Sequence, residues 1–239
     1  MNHDPERKGK FASSVSEVIS SFIPVLGRRY FYLGLFSLIL GTELNFASQT
    51  YLYSFISEGN TLPVLSDLIL DNLPVFKVAF LYDLFSVVTV IVVIIYIIHK
   101  KDYGNIPFFL VMIGIMEILR GLFIVLTPLG NPPMFNGSHS LFNGFSKYEL
   151  GVYPSGHVGC VFMYFLLVKD KWYKWIIFIC LTIVTFSLLL AHAHYSIDIL
   201  SGFIFAYAIY SFGNKYLKMF KSGSVKAGSI DPLPPDELQ

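Results

Sequence analysis

Charge is what this sequence has least of. Only 14% of its 239 residues are Asp, Glu, Lys or Arg, while 54% are hydrophobic and mean hydropathy is +0.62. A soluble domain carries about 25% charged residues, so the composition argues against a soluble globular protein. An excess of either sign is missing as well: the formal net charge is +1, which supplies no basic field for a nucleic-acid partner. Cysteine is scarce. Cys160 and Cys180 both fall inside apolar runs with no Cys/His ligand spacing around them, so neither a disulfide framework nor a metal site is expected. No cleavable signal peptide is visible in the polar, mixed first 28 residues, and no internal repeat stands out.

What the chain has instead is apolar runs of membrane length. They predict an all-α, polytopic helix bundle with six spans, at roughly 30–53, 75–99, 106–128, 154–168, 174–193 and 196–217, the fourth being short. Helices are the expected spanning structure because each satisfies its own backbone hydrogen bonds. Of the 17 Lys and Arg residues, all but Lys77, Arg120 and Lys147 fall before span one, between spans two and three, between spans four and five, or after span six, counting Lys174 and Lys215 at the adjoining ends of spans five and six. By the positive-inside rule that face is cytoplasmic and carries both termini. The expected organisation is a cytoplasmic segment over 1–28, a six-span membrane domain over 29–218 and a disordered cytoplasmic tail over 219–239. Val15, Val18, Ile19 and Phe22 have helical spacing, fitting either an interfacial helix or a short packing helix.

Two short polar motifs interrupt the apolar sequence: Pro154-Ser155-Gly156-His157 and His194-Tyr195-Ser196-Ile197-Asp198. Ionisable groups at such positions are costly and are functional candidates by default. His157 lies near the outer start of span four and His194 near the outer end of span five, so the topology predicts that they meet on the extracytoplasmic side. His194 and Asp198 are four apart, on one face if that stretch is helical, where Asp198 would orient His194 and favour its cationic form. Ser155 is a candidate N-cap, and the amides behind it form a candidate anion site. Arg120, inside span three, either pairs with Glu117 one turn away or faces the cleft to hold phosphate oxygens. Asp83, in span two, either faces the cleft or pairs with a neighbouring helix, and His192 is expected to point away from His194. The loop over 129–152 contains Lys147, a candidate headgroup or phosphate contact, and Asn136-Gly137-Ser138, a weak glycosylation sequon. The segment from Thr61 to Pro74 fits either an amphipathic lid or an ordinary loop.

Pro154-Ser155-Gly156-His157 matches the second motif of the type 2 phosphatidic acid phosphatase superfamily, and His194 with Asp198 matches the third. Over roughly 30–217 the chain resembles that superfamily, and the form His194-Tyr195-Ser196-Ile197-Asp198 is nearer to its sphingomyelin synthase branch. Two cationic positions of the phosphatase pattern differ. The first motif reads Arg120, six residues, Thr127, Pro128, and Leu188 stands where an arginine usually precedes the third-motif histidine.

The resemblance implies a phosphohistidine mechanism. His194 would be the nucleophile, Asp198 its orienting partner and His157 the general acid and base. Arg120, Ser155, Gly156, Lys147 and Tyr195 would bind phosphate or substrate. The expected partners are a phospholipid donor and a lipid-alcohol or water acceptor within membrane lipids, with no cofactor and no metal. A lipid acceptor makes the protein a phosphotransferase, and water makes it a phosphatase acting on phosphatidate or a polyprenyl phosphate. A catalytically inactive lipid transporter or structural membrane protein is the reading from outside the enzymes.

Overall fold

Apolar runs bounded by polar or glycine- and proline-containing turns fold here as helices throughout. The computed structural model describes residues 16, 18–135 and 150–221, and among them there is no β-strand. After a short helical stretch ending at residue 26, six helices follow: α1 (Arg29–Ser57), α2 (Ala79–His99), α3 (Ile106–Leu126), α4 (Gly156–Leu167), α5 (Lys171–Leu190) and α6 (Ser196–Tyr216). All except α4 are long and apolar enough to cross a membrane, which makes this a multi-pass integral membrane protein. At about 1.5 Å per residue, the 12-residue α4 is about 18 Å long, shorter than a bilayer core of about 30 Å. Large apolar side chains face outward along the long helices, among them Phe36, Ile91, Ile94, Phe186, Ile204 and Phe212.

The helices alternate in direction, and contacts between their connections define two ends. At one end Lys100, after α2, pairs with Asp170, before α5, at 2.7 Å. Arg28 donates to Gly104 O at 3.3 Å, and Tyr30 packs its ring on Phe220 at 5.1 Å. This is the lysine-rich end. Asp170 also caps α5, accepting from Trp172 N at 3.0 Å, as expected for an aspartate at an N-cap.

At the opposite end the connection from α1 to α2 forms a strap over the turn between α5 and α6. Phe76 N donates to Leu190 O at 2.8 Å, and Ser196 Oγ donates to Asp67 Oδ1 at 3.0 Å. Of the two alternatives for residues 61–74, the chain adopts irregular structure with one short turn, Leu70–Asn72, fastened to the core through Asp67.

Helix α4 is central and touches α2, α3, α5 and α6, while α1 packs along α3 and α2 along α5. The α1–α3 seam is closed by glycines seven apart, Gly34 and Gly41 on one side and Gly114 and Gly121 on the other. A Cβ on Gly41 would sit 2.7 Å from both Glu117 Cβ and Gly114 O, so this backbone approach requires glycine. Helices α1 and α2, neighbours in sequence, have no comparable seam and face each other across a cavity.

Candidate active site

Each motif histidine is placed by a helix N-terminus. Ser155 caps α4, its Oγ accepting from Val158 N at 3.5 Å, so His157 becomes the second residue of that helix. His194 precedes α6 in the turn over 191–195, which is not helical. Asp198, in the first turn of α6, reaches back so that its Oδ2 accepts from Tyr195 N at 2.8 Å and lies 3.3 Å from His194 Nδ1. The pair therefore meets through a helix-capping turn and not along one helical face. Ser155 N donates to Asp198 O at 3.0 Å, which joins the two motifs through backbone. A Cβ on Gly202 would come within 2.9 Å of Ser155 O, so α4 and α6 meet closely at this point.

The imidazoles of His157 and His194 face one another edge to face, with ring centroids 6.4 Å apart. His157 Nε2 lies 3.0 Å from Asp83 Oδ1. Asp83 is fully buried, as is Asp198. Each histidine thus has its own carboxylate, one from α2 and one from α6. Asp83 both pairs with a neighbouring helix and faces the cavity, so the two alternatives open at the sequence level coincide. It was absent from the site predicted above. The signal was an aspartate near the start of an apolar span, subject to the same cost that singled out the histidines. Tyr82 fixes the plane of the His157 ring by an edge contact at 5.0 Å.

Burial pushes the His194 imidazole below its ordinary pKa, and the adjacent Asp198 carboxylate, pulling the other way, does not fully offset it. Neutral imidazole is therefore the form at neutral pH, in contrast to the cationic form expected from Asp198 alone.

Arg120 turns to the cavity. Its Nη1 donates to Asn45 Oδ1 at 2.6 Å, Nη2 to Gly151 O at 3.2 Å and Nε to Pro154 O at 3.3 Å. The side chain partnering it is Asn45, with Glu117 held on the far side of the same asparagine. A Cβ on Gly156 would lie 2.7 Å from Arg120 Nε, so the absent side chain is what lets the guanidinium lie against the start of α4.

Ser155 and Tyr195 are buried behind the site and do not line the cavity. The Tyr195 hydroxyl donates to Gly130 O at 3.1 Å and accepts from Leu65 N at 3.2 Å, tying the motif to the strap. His192, at φ 50°, is buried with Nε2 3.2 Å from Leu73 O and is also outside the cavity. Lys147, the sequon at Asn136 and the tail beyond Lys221 lie outside the described residues.

Both histidines, Asp83 and Arg120 border a cavity of about 620 Å³. It runs from the histidine end into the bundle between α1, α2, α3 and α4, with Leu38, Val90, Ile113 and Leu188 among its apolar walls. Among the described residues, no three His, Cys, Asp or Glu side chains cluster as a metal-holding group. The arrangement is a paired-imidazole site with a guanidinium beside it, at the mouth of an apolar chamber. That is chemistry suited to a phosphate ester on a hydrophobic chain.

Residues 154–215 match the family model described as PAP2 superfamily C-terminal. That match supports the type 2 phosphatidic acid phosphatase superfamily, whose members are generally phosphatases and phosphotransferases, and so supports an enzyme. An uncharacterized protein of Methanocaldococcus jannaschii is 26% identical over 166 residues, covering 66% of this chain and 68% of its own length. The matched family segment holds His157, His194 and Asp198. Asp83, Asn45, Glu117 and Arg120 lie outside it.

Proposed function

We propose that this protein is a membrane lipid phosphotransferase resembling sphingomyelin synthase, which moves a phosphate-headgroup between lipids through a phosphohistidine on His194. The observation that carries the reading is the pair of facing histidines, each backed by a separate buried carboxylate. With Nδ1–H of His194 donated to Asp198, Nε2 presents a lone pair to the cavity. Burial keeps that imidazole neutral and nucleophilic. With Nε2–H of His157 donated to Asp83, its Nδ1 faces the substrate and carries the transferable proton.

In the first half-reaction His194 Nε2 forms the N–P bond as the bond from phosphorus to the lipid oxygen breaks, and His157 protonates that departing oxygen. In the second, His157 takes the proton of the acceptor hydroxyl, whose oxygen bonds to phosphorus as the N–P bond breaks. The two rings, on opposite sides of one phosphorus centre, suit an in-line displacement. Arg120 and the first amides of α4 stabilise charge on the equatorial oxygens. Leu188 and the other apolar walls favour a lipid alcohol over water as acceptor. In this reading α4 also crosses, as the fourth of six spans, the lysine-rich end is cytoplasmic and the histidine end extracytoplasmic.

The test is a mass-spectrometric lipid assay in vesicles of mixed labelled phospholipids with added lipid alcohols, comparing wild type with His194→Ala. A new phospholipid that disappears in the variant is the expected result. A dephosphorylated lipid or free headgroup phosphate without acceptor product would replace the transferase by a lipid phosphate phosphatase. Unchanged turnover in His194→Ala would remove the phosphohistidine.

A further inference from the structure

Three lysines converge at the end of the molecule away from the histidines. Lys169 stands in the turn between α4 and α5, and Lys218 and Lys221 follow α6. Lys221 is half-buried. Its ammonium lies 4.5 Å from the centre of the Phe108 ring, at the start of α3, and donates to Asn214 Oδ1 in the last turn of α6. Lys169 and Lys218 are exposed, and their charges reach it. Burial first, then these two ammonium groups, push Lys221 below its ordinary pKa.

The positive-inside rule accounts for lysines at this end, but not for three of them at one spot without counter-charge. Among the described residues, none of the three pairs with a carboxylate. The nearby acids are committed elsewhere. Asp170 meets Lys100 at 2.7 Å and accepts from Trp172 N at 3.0 Å. Asp102 accepts from Asn105 Nδ2 at 2.6 Å and from the Tyr96 hydroxyl at 3.1 Å. Like charges held together cost energy that an anion between them recovers. Phe108 and Asn214 hold the Lys221 ammonium in place, so part of the ordering is done before an anion arrives.

The surface beside the cluster decides what carries that anion. Phe212, Tyr216 and Met219 are exposed at the same end of α6, and side chains of this kind at the end of a spanning helix face lipid. Lysine stems there run along apolar surface and put their heads at headgroup level. We infer that Lys169, Lys218 and Lys221 bind the phosphate of an anionic lipid in the leaflet at the lysine-rich end. This site is separate from the histidine cavity and stands whatever reaction that cavity performs. A phosphate monoester, with nearly two negative charges, matches three ammonium groups better than a diester with one.

The experiment is native mass spectrometry of the full-length protein in detergent, carrying His194→Ala so that no lipid is turned over. It is titrated with phosphatidate, phosphatidylglycerol and phosphatidylcholine of equal chain length. Phosphatidate is expected to bind most tightly and phosphatidylcholine least. The phosphatidate affinity is expected to fall about fivefold for each lysine neutralised, in Lys169→Gln, Lys218→Gln and Lys221→Met, and about a hundredfold in the triple variant. The pair Lys169→Gln and Lys218→Gln, both at exposed positions, serves if Lys221→Met, which gives up its hold on Asn214, does not fold. Phosphatidate bound as tightly by the triple variant as by its parent overturns the inference, the lipid then being held at the histidine end. Equal affinity for the anionic lipids and phosphatidylcholine also overturns it, as does displacement of phosphatidate by an equal concentration of inorganic phosphate.

Discussion

Asp83 and Asp198 occupy equivalent relations to the two imidazoles but come from different helices, which makes their effects separable. Replacing Asp83 by Asn turns a pure acceptor into a group that can present N–H₂ to His157 Nε2 and so favour the wrong tautomer. The expected result is a fall in kcat of about a hundredfold with KM nearly unchanged, measured by steady-state lipid turnover. For His194 the sign of the pH effect follows from its lowered pKa. The neutral, nucleophilic form persists as pH falls to the ordinary imidazole value of about 6.5 and is lost only below it. Unfolded chains take up the proton first, so stability also declines as pH drops through that value. Activity and melting temperature, recorded together from pH 8 to pH 5, should both fall on the acid side, and the part of the melting-temperature decline due to this residue should vanish in His194→Gln. A rate that went on rising well below that value would contradict a neutral nucleophile. His157, His194 and Asp198 were legible from the sequence because polar groups in apolar surroundings announce themselves. Asp83 gave the same signal but lacked a motif around it, and its partner on α4 lies 74 positions away in the chain.

Among the elements, the α1–α3 seam and the strap set the precision of the site. Gly41 and Gly114 let the two backbones approach closely, and this approach brings Asn45 to Glu117 and Arg120. Gly41→Leu forces the helices apart and is expected to cost about 2 kcal/mol or more, seen as a lower melting temperature in detergent, together with loss of activity as Arg120 loses its asparagine. The strap offers a milder change. Burial alone would raise the Asp67 carboxyl, but hydrogen bonds from Ser196, Leu70 and Ile69 hold it below its ordinary value. Its contribution is present above the ordinary carboxylate range and lost as pH falls through its lowered value. Asp67→Ala removes the acceptor at the start of α6 and is expected to cost about 1 kcal/mol, with reduced turnover because the turn carrying His194 is loosened. The five long apolar helices were readable from hydropathy alone. The seven-residue glycine spacing was not, since it departs from the small-residue pattern at every fourth position, and the strap was not, since its hold on the core runs through contacts about 130 residues apart.

At the scale of the whole molecule, alternating helices put the lysines at one end and both histidines at the other, a separation the sequence made plain through its loops. The proposed orientation predicts that a cysteine introduced as Gly59→Cys is labelled by an impermeant maleimide in intact cells, and Lys101→Cys only after permeabilisation. The reverse pattern would place the site in the cytoplasm. Harder to read from the sequence was which residues line the cavity, because that depends on which helices pack and which stand apart. His157, His194 and Asp198 lie within 154–215, the segment shared with a known family, whereas Asp83, Asn45, Glu117 and Arg120 belong to the first three helices. The site is therefore built from two stretches of one chain, and the family match covers only the second. A substitution at Asp83, Asn45 or Arg120 would change the site while leaving untouched the segment that carries the family match.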